Sequence, residues 1–469
     1  MTKEPSLTDS SDISFPCAQP PEDSAVVRLL GLYPQRQEGL WMQRIRILGG
    51  RADGRLWRTL GDAAERFTPG EPLHLTTRQD VEFHGATASA VPELQAFLAD
   101  HGLTGLGACG DTPRNLTLCP GGGLCRGSVD LLPLARLVHE TLVKEEDIFR
   151  LPRKFKISFS SCPRGCAMPW INDLAFVATP RPGGAPGETG FEVIGAGSLG
   201  PRPATGIRLV DGIPAEDVIP CALAVVRVFA AHGDRRNRAR ARLRHVRERL
   251  GNEKFLELFR AEFESQKNQW RRRGDRADVR VPAPQADRVE KVRLTFANGN
   301  VFPPAARELA ELLERHEAEA RINFVGGVTI FGRDVPSLHS AVESFPALRV
   351  AALNQPTVVP CPGTRWCKRA IVETQDLADR IRCELSAVAA DGASLPAVHL
   401  SGCPNGCSQN AVAPIGLVGR VGVVEGQRQE CFDVFASGGG GRNDQLARPV
   451  AQRVPAADVP AFVARLCKS

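Results

Sequence analysis

The feature that most constrains this chain is a pattern of paired cysteines that occurs twice. Residues 119–125 read CPGGGLC and residues 162–166 read CPRGC, whereas residues 361–367 read CPGTRWC and residues 403–407 read CPNGC. Each half therefore contains a C-x5-C pair and then a C-x3-C pair, separated by 36 residues in the first half and 35 in the second. The two copies are offset by 242 and 241 residues. So regular a repeat indicates an internal duplication.

Four thiolates in each half match the ligand set of a [4Fe-4S] cluster. Zinc is the alternative, although structural zinc sites usually have shorter C-x2-4-C spacing. Pro and Gly between the cysteines favour tight turns that let the backbone approach an inorganic core. The predicted ligands are Cys119, Cys125, Cys162 and Cys166 in the first half, and Cys361, Cys367, Cys403 and Cys407 in the second. Six further cysteines lack comparable partners and are interpreted as small hydrophobic residues: Cys17, Cys109, Cys221, Cys383, Cys431 and Cys467.

Composition sets the class of protein. The chain has 469 residues, of which 42% are hydrophobic and 24% charged, so it can bury two or three ordinary cores. The polar opening segment lacks the apolar core of a signal peptide, and no uninterrupted apolar run of about 18 residues follows. These features predict a cytoplasmic protein with no membrane partner. In a reducing compartment, paired cysteines more often bind metal than form disulfides.

Several motifs in sequence order resemble one enzyme family. CPGTRWCKRAIVET and HLSGCPNGCSQN resemble the cluster-binding half of the siroheme-dependent sulfite and nitrite reductases, and LHLTTRQDVEFHG, GDTPRNLTL and LPRKFKISF resemble their other half. The resemblance runs from about residue 28 to 460. It implies an α+β fold of two halves, each a mixed or antiparallel sheet with helices. The halves would pack around a pseudo-twofold axis with siroheme and cluster between them.

The local patterns agree with a duplicated α+β unit. MQRIRIL, LHLTTRQDVEFHG and KFKISFS have the composition and partial alternation of strands. LWRTLGDAAERF and VPELQAFLADHGL predict helices in the first half, and PPAARELAELLERHE and VPSLHSAVES predict helices in matching order in the second. The predicted division is an N-terminal arm (1–27), a first half (28–232), a charged helical connector (233–280) and a second half (281–469).

The resemblance assigns a set of basic residues to the substrate. Arg44, Arg114, Lys154 and Lys156 match the family's substrate positions. Lys154 and Lys156 alternate along a strand-like segment, so both side chains would point to one face. Arginine would hold a small oxyanion with its planar fork, and lysine could give up a proton. Solvated surface charge is the alternative interpretation of any one of these residues.

The same resemblance assigns the cofactor residues. Arg78 matches a residue that binds siroheme, whose eight carboxylates need many cations. Cys361, Cys367, Cys403 and Cys407 match the ligands of the catalytic cluster, and Cys407 matches the cysteine that bridges the cluster and the haem iron. The expected cofactors are therefore siroheme and a [4Fe-4S] cluster, with a second cluster in the first half.

The second half has kept its cysteines but not the basic set. The position of Arg78 falls near Val325 and that of Arg114 near Pro356, and only Arg293 preserves a counterpart, that of Arg44. One competent site is expected. The first-half cluster would be structural, would relay electrons, or would accompany an inactive tetrapyrrole. The double pattern resembles a fused pair of dissimilatory sulfite reductase subunits without their inserted ferredoxin domain.

The resemblance implies six-electron reduction of sulfite to sulfide. Nitrite reduction to ammonia is the main alternative, but nitrite enzymes of the family often have Asn where this chain has Lys156, which favours sulfite. An enzyme similar to precorrin-3B synthase would not need the complete cation set, because its reaction binds no small oxyanion. A non-catalytic electron-transfer subunit is the remaining alternative.

The connector is rich in arginine and raises the question of partners. It contains eight Arg between Arg235 and Arg249, which is compatible with nucleic-acid binding. No base-reading motif accompanies them, so a solvated helical connector without a nucleic-acid partner is the prediction. No dinucleotide fingerprint or flavin domain is apparent either. Electrons are therefore expected from a ferredoxin or a flavoprotein.

Overall fold

The computed structural model describes residues 24–145, 147–272, 281–286, 289–332, 334–350, 356–389, 395–424 and 426–468. Most of the predicted N-terminal arm, including Cys17, lies outside these residues. The first helix begins after Ser24, whose hydroxyl accepts the N–H of Val27 at 3.2 Å. This is an ordinary N-cap contact.

The helices of the described residues are α1 Ala25–Leu29, α2 Gly54–Phe67, α3 Ala90–Asp100, α4 Leu132–Leu142, α5 Val218–His232, α6 Leu243–Leu250, α7 Asn252–Arg272, α8 Pro303–Arg315, α9 Val335–Ser344, α10 Pro346–Arg349, α11 Gly363–Trp366, α12 Gln375–Val388 and α13 Val459–Lys468. None of these helices combines the length and the apolar character needed to cross a membrane.

The strands of the same residues are β1 Leu32–Pro34, β2 Leu40–Ile45, β3 Arg51–Ala52, β4 Leu73–Leu75, β5 Val81–Thr87, β6 Thr117–Leu118, β7 Ile157–Ser160, β8 Leu174–Pro180, β9 Thr189–Gly195, β10 Ile207–Ile213, β11 Val292–Thr295, β12 Asn300–Val301, β13 Glu319–Ile322, β14 Gly327–Phe331, β15 Val358–Pro360, β16 Val398–Ser401, β17 Ile415–Val424, β18 Gln427–Ala436 and β19 Arg448–Pro455.

These strands form two antiparallel and two mixed sheets within the described part of the chain. The antiparallel sheets have the orders β1-β2-β5-β4-β12 and β11-β14-β13-β3. The mixed sheets have the orders β10-β9-β8-β7-β6 and β15-β16-β17-β18-β19, and in each the first three strands along the chain are parallel. The two halves thus repeat one order of elements, which confirms the predicted duplicated α+β fold.

The halves exchange short strands reciprocally. From the first half, β3 pairs with β13 through Arg51 and Arg321, and from the second, β12 pairs with β4 through Asn300 and His74. Helices α2 and α8 pack together closely, and a Cβ on Gly54 would lie 2.8 Å from the carbonyl oxygen of an α8 residue. One hydrophobic core runs through both antiparallel sheets. The two halves therefore share a core along their common face.

The segment predicted as one strand, LHLTTRQDVEFHG, is a hairpin. Strands β4 and β5 are joined by a tight loop in which the Thr76 hydroxyl accepts the N–H groups of Arg78 and Asp80 at 3.2 and 3.0 Å. Gln79 has a positive φ of 61° there. Composition favoured a strand throughout, but side-chain to backbone bonds from Thr compete with the ladder. The resulting turn places Arg78 at the tip of the loop.

The charged connector forms α6 and α7 in its described part. Phe255, Phe259 and Phe263 recur at every fourth position of α7 and are buried in the core of the first half. Several connector arginines make intramolecular contacts: Arg238 pairs with Asp111, and Arg249 donates to the carbonyl of His232. Much of the positive charge is therefore engaged within the first half.

Candidate active site

The second-half cysteines lie on turns at the carboxyl ends of two neighbouring parallel strands. Cys361 follows β15 directly, and Cys403 lies two residues beyond β16. Burial, and then the charge of Cys407, raise the pKa of the Cys361 thiol to about 12. Cys407 also acts on the pKa values of Cys367 and Cys403. All four predicted ligands of this half therefore lie within electrostatic reach of one another.

Backbone N–H groups point at these sulfurs. The N–H of Gly402 donates to Cys361 Sγ at 3.1 Å, and N–H groups of Arg369 and Ala370 act on Cys367. The turns require glycine: Gly363 has φ +58°, and a Cβ there would lie 2.3 Å from the Thr374 hydroxyl. Thiolates that receive N–H donors are typical of iron–sulfur clusters, whose potential such bonds tune. These residues fit a [4Fe-4S] cluster.

Among the described residues, no three His, Cys, Asp or Glu side chains are arranged to hold a single metal ion. In a [4Fe-4S] cluster each thiolate binds a different iron, so its sulfurs need not converge as they do on zinc.

The predicted basic residues approach this cysteine set from the first half. Lys154 and Lys156 flank the fully buried Phe155, which bridges to Pro113 just before Arg114. Burial, and then the charge of Arg242, lower the pKa of Lys154 to about 7, whereas Cys407 opposes this shift and Arg114 adds to it. Lys154 therefore lies within reach of a first-half arginine and a second-half thiol.

Direct contacts dock the second-half cysteine loops onto the first half. The Thr77 hydroxyl donates to the carbonyl of Cys407 at 2.9 Å, and Gln409 Nε2 donates to the carbonyl of Thr77 at 3.1 Å. The Trp366 ring stacks on His84 with ring centroids 4.3 Å apart. These contacts fix the hairpin loop that carries Arg78 against the cysteine turns.

The arginines of this region have unsatisfied buried donors. Arg78 donates to Asn172 Oδ1 at 3.1 Å and to the carbonyl of Asn115 at 2.6 Å, and Arg114 donates to the carbonyls of Ala108 and Gly110. The Nε atoms of Arg46, Arg78 and Arg114 are buried and have no hydrogen-bond partner among the described residues. Since an unpaired buried N–H is costly, an acidic ligand is the natural partner of this set. The residues present thus fit a macrocycle that carries carboxylates.

Arg44 differs from the expected free cation. It forms an ion pair with Glu82, with Nε to Oε1 at 2.8 Å, and His84 Nε2 lies 3.1 Å from the other carboxylate oxygen. Although burial favours the neutral acid, Arg44 and then His84 hold the pKa of Glu82 well below its usual value. Part of the positive charge of Arg44 is thus balanced within the first half.

Sequence reasoning missed several charged residues of the site. Asp80 lies directly before β5, two residues from Glu82, and burial raises its pKa to about 6 in spite of the nearby arginines. Arg242 and Asp173 form a buried ion pair beside the lysines. The alternation of Asp80 and Glu82 within DVEFHG was a usable signal. The Arg242–Asp173 pair joins residues 69 positions apart, so no local signal in the sequence predicted it.

The first-half cysteines form a second set with different surroundings. A hydrogen bond with Cys119 lowers the pKa of Cys166 to about 6 against the effect of burial, and Arg442, Arg164 and Lys291 lower it further. Arg164 Nε donates to Cys162 Sγ at 3.3 Å. A Cβ on Gly121 would lie 2.4 Å from the sulfur of the remaining cysteine, Cys125. The largest charge effects on Cys166 thus come from residues outside the predicted substrate set.

The face of the second half that corresponds to the substrate side is not basic. Arg293 pairs across the ladder with Thr329 as Arg44 does with Glu82, but it is exposed. A cavity of about 650 Å³ lies on this side, next to Leu124 of the first C-x5-C loop. Its lining includes four acidic residues: Glu290, Glu317, Glu319 and Asp334. Among the described residues Glu319 is paired with Arg51 and Arg321, and no Lys or Arg lines the cavity, so the carboxylates of a tetrapyrrole would find no cation in its lining.

A duplicated α+β fold that brings a thiol set and buried basic residues together at the junction of its halves is typical of a metal-dependent oxidoreductase. The family model "Nitrite and sulphite reductase 4Fe-4S domain" matches residues 109–267 and 354–468, and the model "Nitrite/Sulfite reductase ferredoxin-like half domain" matches residues 33–101. The chain belongs to the nitrite and sulfite reductase family, which carries siroheme and a [4Fe-4S] cluster.

Similar proteins divide between two substrates. An "Assimilatory ferredoxin-dependent nitrite reductase" of Haloferax mediterranei is 29% identical over 94% of this chain and 81% of its own length. "Sulfite reductase [ferredoxin] 2" of Mycolicibacterium paratuberculosis is 27% identical over 94% of this chain and 84% of its own. The solved structure of Mycobacterium tuberculosis NirA has the same fold, with a TM-score of 0.78 and 24% identity over 94% of this chain and 86% of that one. The chain is thus an oxidoreductase of sulfite or nitrite.

Proposed function

We propose that the chain reduces sulfite to sulfide at a siroheme coupled to the second-half [4Fe-4S] cluster. The observation that carries this proposal is the convergence of Lys154, Lys156 and Arg114 from the first half with Cys407 from the second. When bound, siroheme and its cluster supply the electrons. Reduction of SO₃²⁻ takes up six electrons and six protons and releases S²⁻ and three water molecules.

The chain's own residues would bind the oxyanion and deliver protons. Lys154 and Lys156 make no hydrogen bond or ion pair with other described residues through their ammonium groups, so both are available to a ligand. With a pKa of about 7, Lys154 can release and regain a proton near neutral pH. Arg114, anchored by two carbonyls, would hold the anion in place.

Sulfite is favoured over nitrite by Lys156. The position carries a second lysine, and sulfite has three oxygens to protonate where nitrite has two. Nitrite is the second candidate, since the Haloferax mediterranei relative and a "Ferredoxin--nitrite reductase" of Leptolyngbya laminosa are named for it. The test is anaerobic turnover of each anion with reduced viologen as donor. We expect a higher kcat/KM for sulfite, with six reduced viologen molecules oxidised for each sulfide formed. A higher kcat/KM for nitrite would assign the chain to nitrite.

We further propose a second [4Fe-4S] cluster on Cys119, Cys125, Cys162 and Cys166. Its support is the repeated placement: Cys119 follows β6 as Cys361 follows β15, and Cys162 follows β7 as Cys403 follows β16. The donor we propose is a ferredoxin, because the names of the Haloferax mediterranei and Mycolicibacterium paratuberculosis relatives both include ferredoxin. Reduced ferredoxin should sustain turnover, and a strict requirement for a flavoprotein would overturn this choice.

A further inference from the structure

The connector contributes Arg242 to a buried ion pair beside the predicted substrate residues Lys154 and Lys156. Arg242 lies directly before α6 and is 8% exposed, and Asp173 lies directly before β8 and is fully buried. Arg242 Nη2 lies 2.6 Å from Asp173 Oδ2, and Nε lies 3.3 Å from Oδ1. The two donors and two acceptors form a side-by-side pair, the geometry in which arginine binds a carboxylate most strongly.

Asp173 also holds the lysine segment. Its Oδ2 accepts the backbone N–H of Lys156 at 2.8 Å, and the N–H of the next residue, Leu174, donates to the carbonyl of Lys156 at 3.1 Å. Lys156 is thus held from both sides just before β7 begins. The backbone that presents Lys154 and Lys156 is anchored to the same carboxylate that Arg242 binds.

The charge of Arg242 acts on both lysines. Burial first, and then Arg242, lower the pKa of Lys154. For Lys156, burial is followed by Arg78, Lys154 and Arg242, with Asp173 opposing them. The groups that face Lys154 are Arg242, Arg114, Arg153 and Lys156 of the first half and Cys407 of the second.

Neighbouring arginines of the connector behave differently. Arg244 is as deeply buried as Arg242, but it pairs with Glu248 one turn along the same helix. Arg247 donates to the carbonyl of Thr205 at 3.0 Å. These contacts stabilise the connector, whereas that of Arg242 ends at the lysine segment.

We propose that the Arg242–Asp173 pair is a positioning element for the oxyanion. Asp173 fixes the backbone of the two lysines, and Arg242 prevents that carboxylate from neutralising them. This inference rests on the proposed role of Lys154 and Lys156 in oxyanion binding. Without Arg242, an unpaired carboxylate would remain beside the lysines. The positive potential around Lys154 and Lys156, which favours an anion, would then fall.

The test compares Arg242→Gln, Arg242→Lys and the double variant Arg242→Gln/Asp173→Asn in the holoenzyme. We expect Arg242→Gln to raise KM for sulfite and for nitrite about tenfold with a smaller loss of kcat, because anion binding suffers most. Arg242→Lys should stay within about threefold of the parent chain. The double variant replaces the ion pair by two amides and should recover most of KM, because no carboxylate is left unpaired.

Arg244→Gln is the matched control, since it removes an equally buried arginine whose partner, Glu248, does not contact the lysine segment. It should leave KM unchanged. The inference fails if Arg242→Gln and Arg244→Gln raise KM equally, or if the double variant is no better than Arg242→Gln. A purely structural pair would give that second result, because both its members would be missing.

A labelling experiment separates this inference from the proposed function. Competitive acetylation of the holoenzyme, read by mass spectrometry, compares Lys154 with the exposed Lys254. In Arg242→Gln, Lys154 should become less reactive than in the parent, because the unpaired Asp173 would favour its charged form. Unchanged reactivity would overturn the inference. If reactivity falls but neither anion is turned over by the parent chain, the proposed function fails and the ion pair's effect on the lysines stands.

Discussion

The two cysteine sets repeat one spacing, yet their surroundings differ. Both sets receive backbone N–H groups, but the second-half set faces the cations of the first half, and Trp366 of its C-x5-C loop stacks on His84. The first-half set is contacted by the Arg164 side chain and lies beside a cavity lined by acidic residues. Duplication has thus preserved the turns that would hold a cluster, while the charge on the facing half has diverged.

The divergence has a local physical cause. The cysteines lie on turns at strand ends, where spacing and glycine positions are fixed by backbone geometry. The cations lie in loops and strand approaches, where a substitution changes charge without changing the fold. Lys154 and Lys156 of the first half correspond to Leu395 and Ala397 of the second. An apolar pair there cannot bind an oxyanion, so one substrate site per chain is the expected result.

The strongest way to break the comparison is to remove equivalent cysteines. Cys361→Ser should reduce turnover to the background rate, because its thiol belongs to the set beside the substrate cavity. Cys119→Ser, 242 residues earlier, should retain viologen-driven turnover. Cluster iron per chain, counted apart from the siroheme iron, should fall from about eight atoms to about four in either variant. Anaerobic iron and sulfide analysis with visible spectra checks this.

Three results would contradict this asymmetry. Equal loss of turnover in both variants would make the first-half set part of the catalytic site. About four cluster irons in the parent chain, apart from the siroheme iron, would contradict the second cluster, and zinc in place of iron would contradict both.

A smaller effect should follow from Lys156→Asn, which changes a residue that the second half lacks. Because the second lysine would supply protons to sulfite oxygens, kcat/KM for sulfite should fall about 100-fold and that for nitrite about tenfold or less. Steady-state kinetics with both anions measures the ratio. Lys254→Asn, on the exposed face of α7, should change neither value. Equal losses for sulfite and nitrite would mean that Lys156 does not distinguish the substrates.

The fold was predictable because the repeated cysteine spacing and the predicted helices at matching positions both indicate a duplication. The predicted helix 335–344 coincides with α9, for example. The hairpin of β4 and β5 was not predicted, since its turn depends on hydroxyl contacts of Thr76. The site residues stay predictions, although the structure brings Lys154 and Cys407 within electrostatic reach.

Long-range pairs explain most of what sequence reasoning missed. The Arg242–Asp173 contact joins the connector to the start of β8, and neither residue belongs to a motif. The acidic cavity likewise gathers Leu124 of the first half and residues from several separate segments of the second half. Such clusters bring together residues that are distant in sequence. They depend on how the sheets and helices pack, so no periodic pattern in the sequence predicts them. The motif-bearing residues, by contrast, lie in continuous segments.

The smallest expected effect is a pH dependence confined to the basic side. Lys154 has a pKa of about 7, so its ammonium predominates below pH 7 and is lost as the pH rises. Because the charged form would bind the anion and donate the proton, kcat/KM should be level below pH 7. Above it, kcat/KM should decline by about tenfold per pH unit. Nitrite is the better probe, since sulfite itself takes up a proton near neutrality.

Lys154→Arg provides the decisive control for this pH dependence. Arginine keeps its charge to much higher pH, so the decline above pH 7 should disappear, while kcat should fall because the guanidinium is a poor proton donor. Leu395→Ala, at the corresponding position of the second half, should leave the profile of the parent unchanged. If the decline persists in Lys154→Arg, another group controls it. The buried carboxyl of Asp80, whose pKa of about 6 lies close to this range, would then be the next residue to replace.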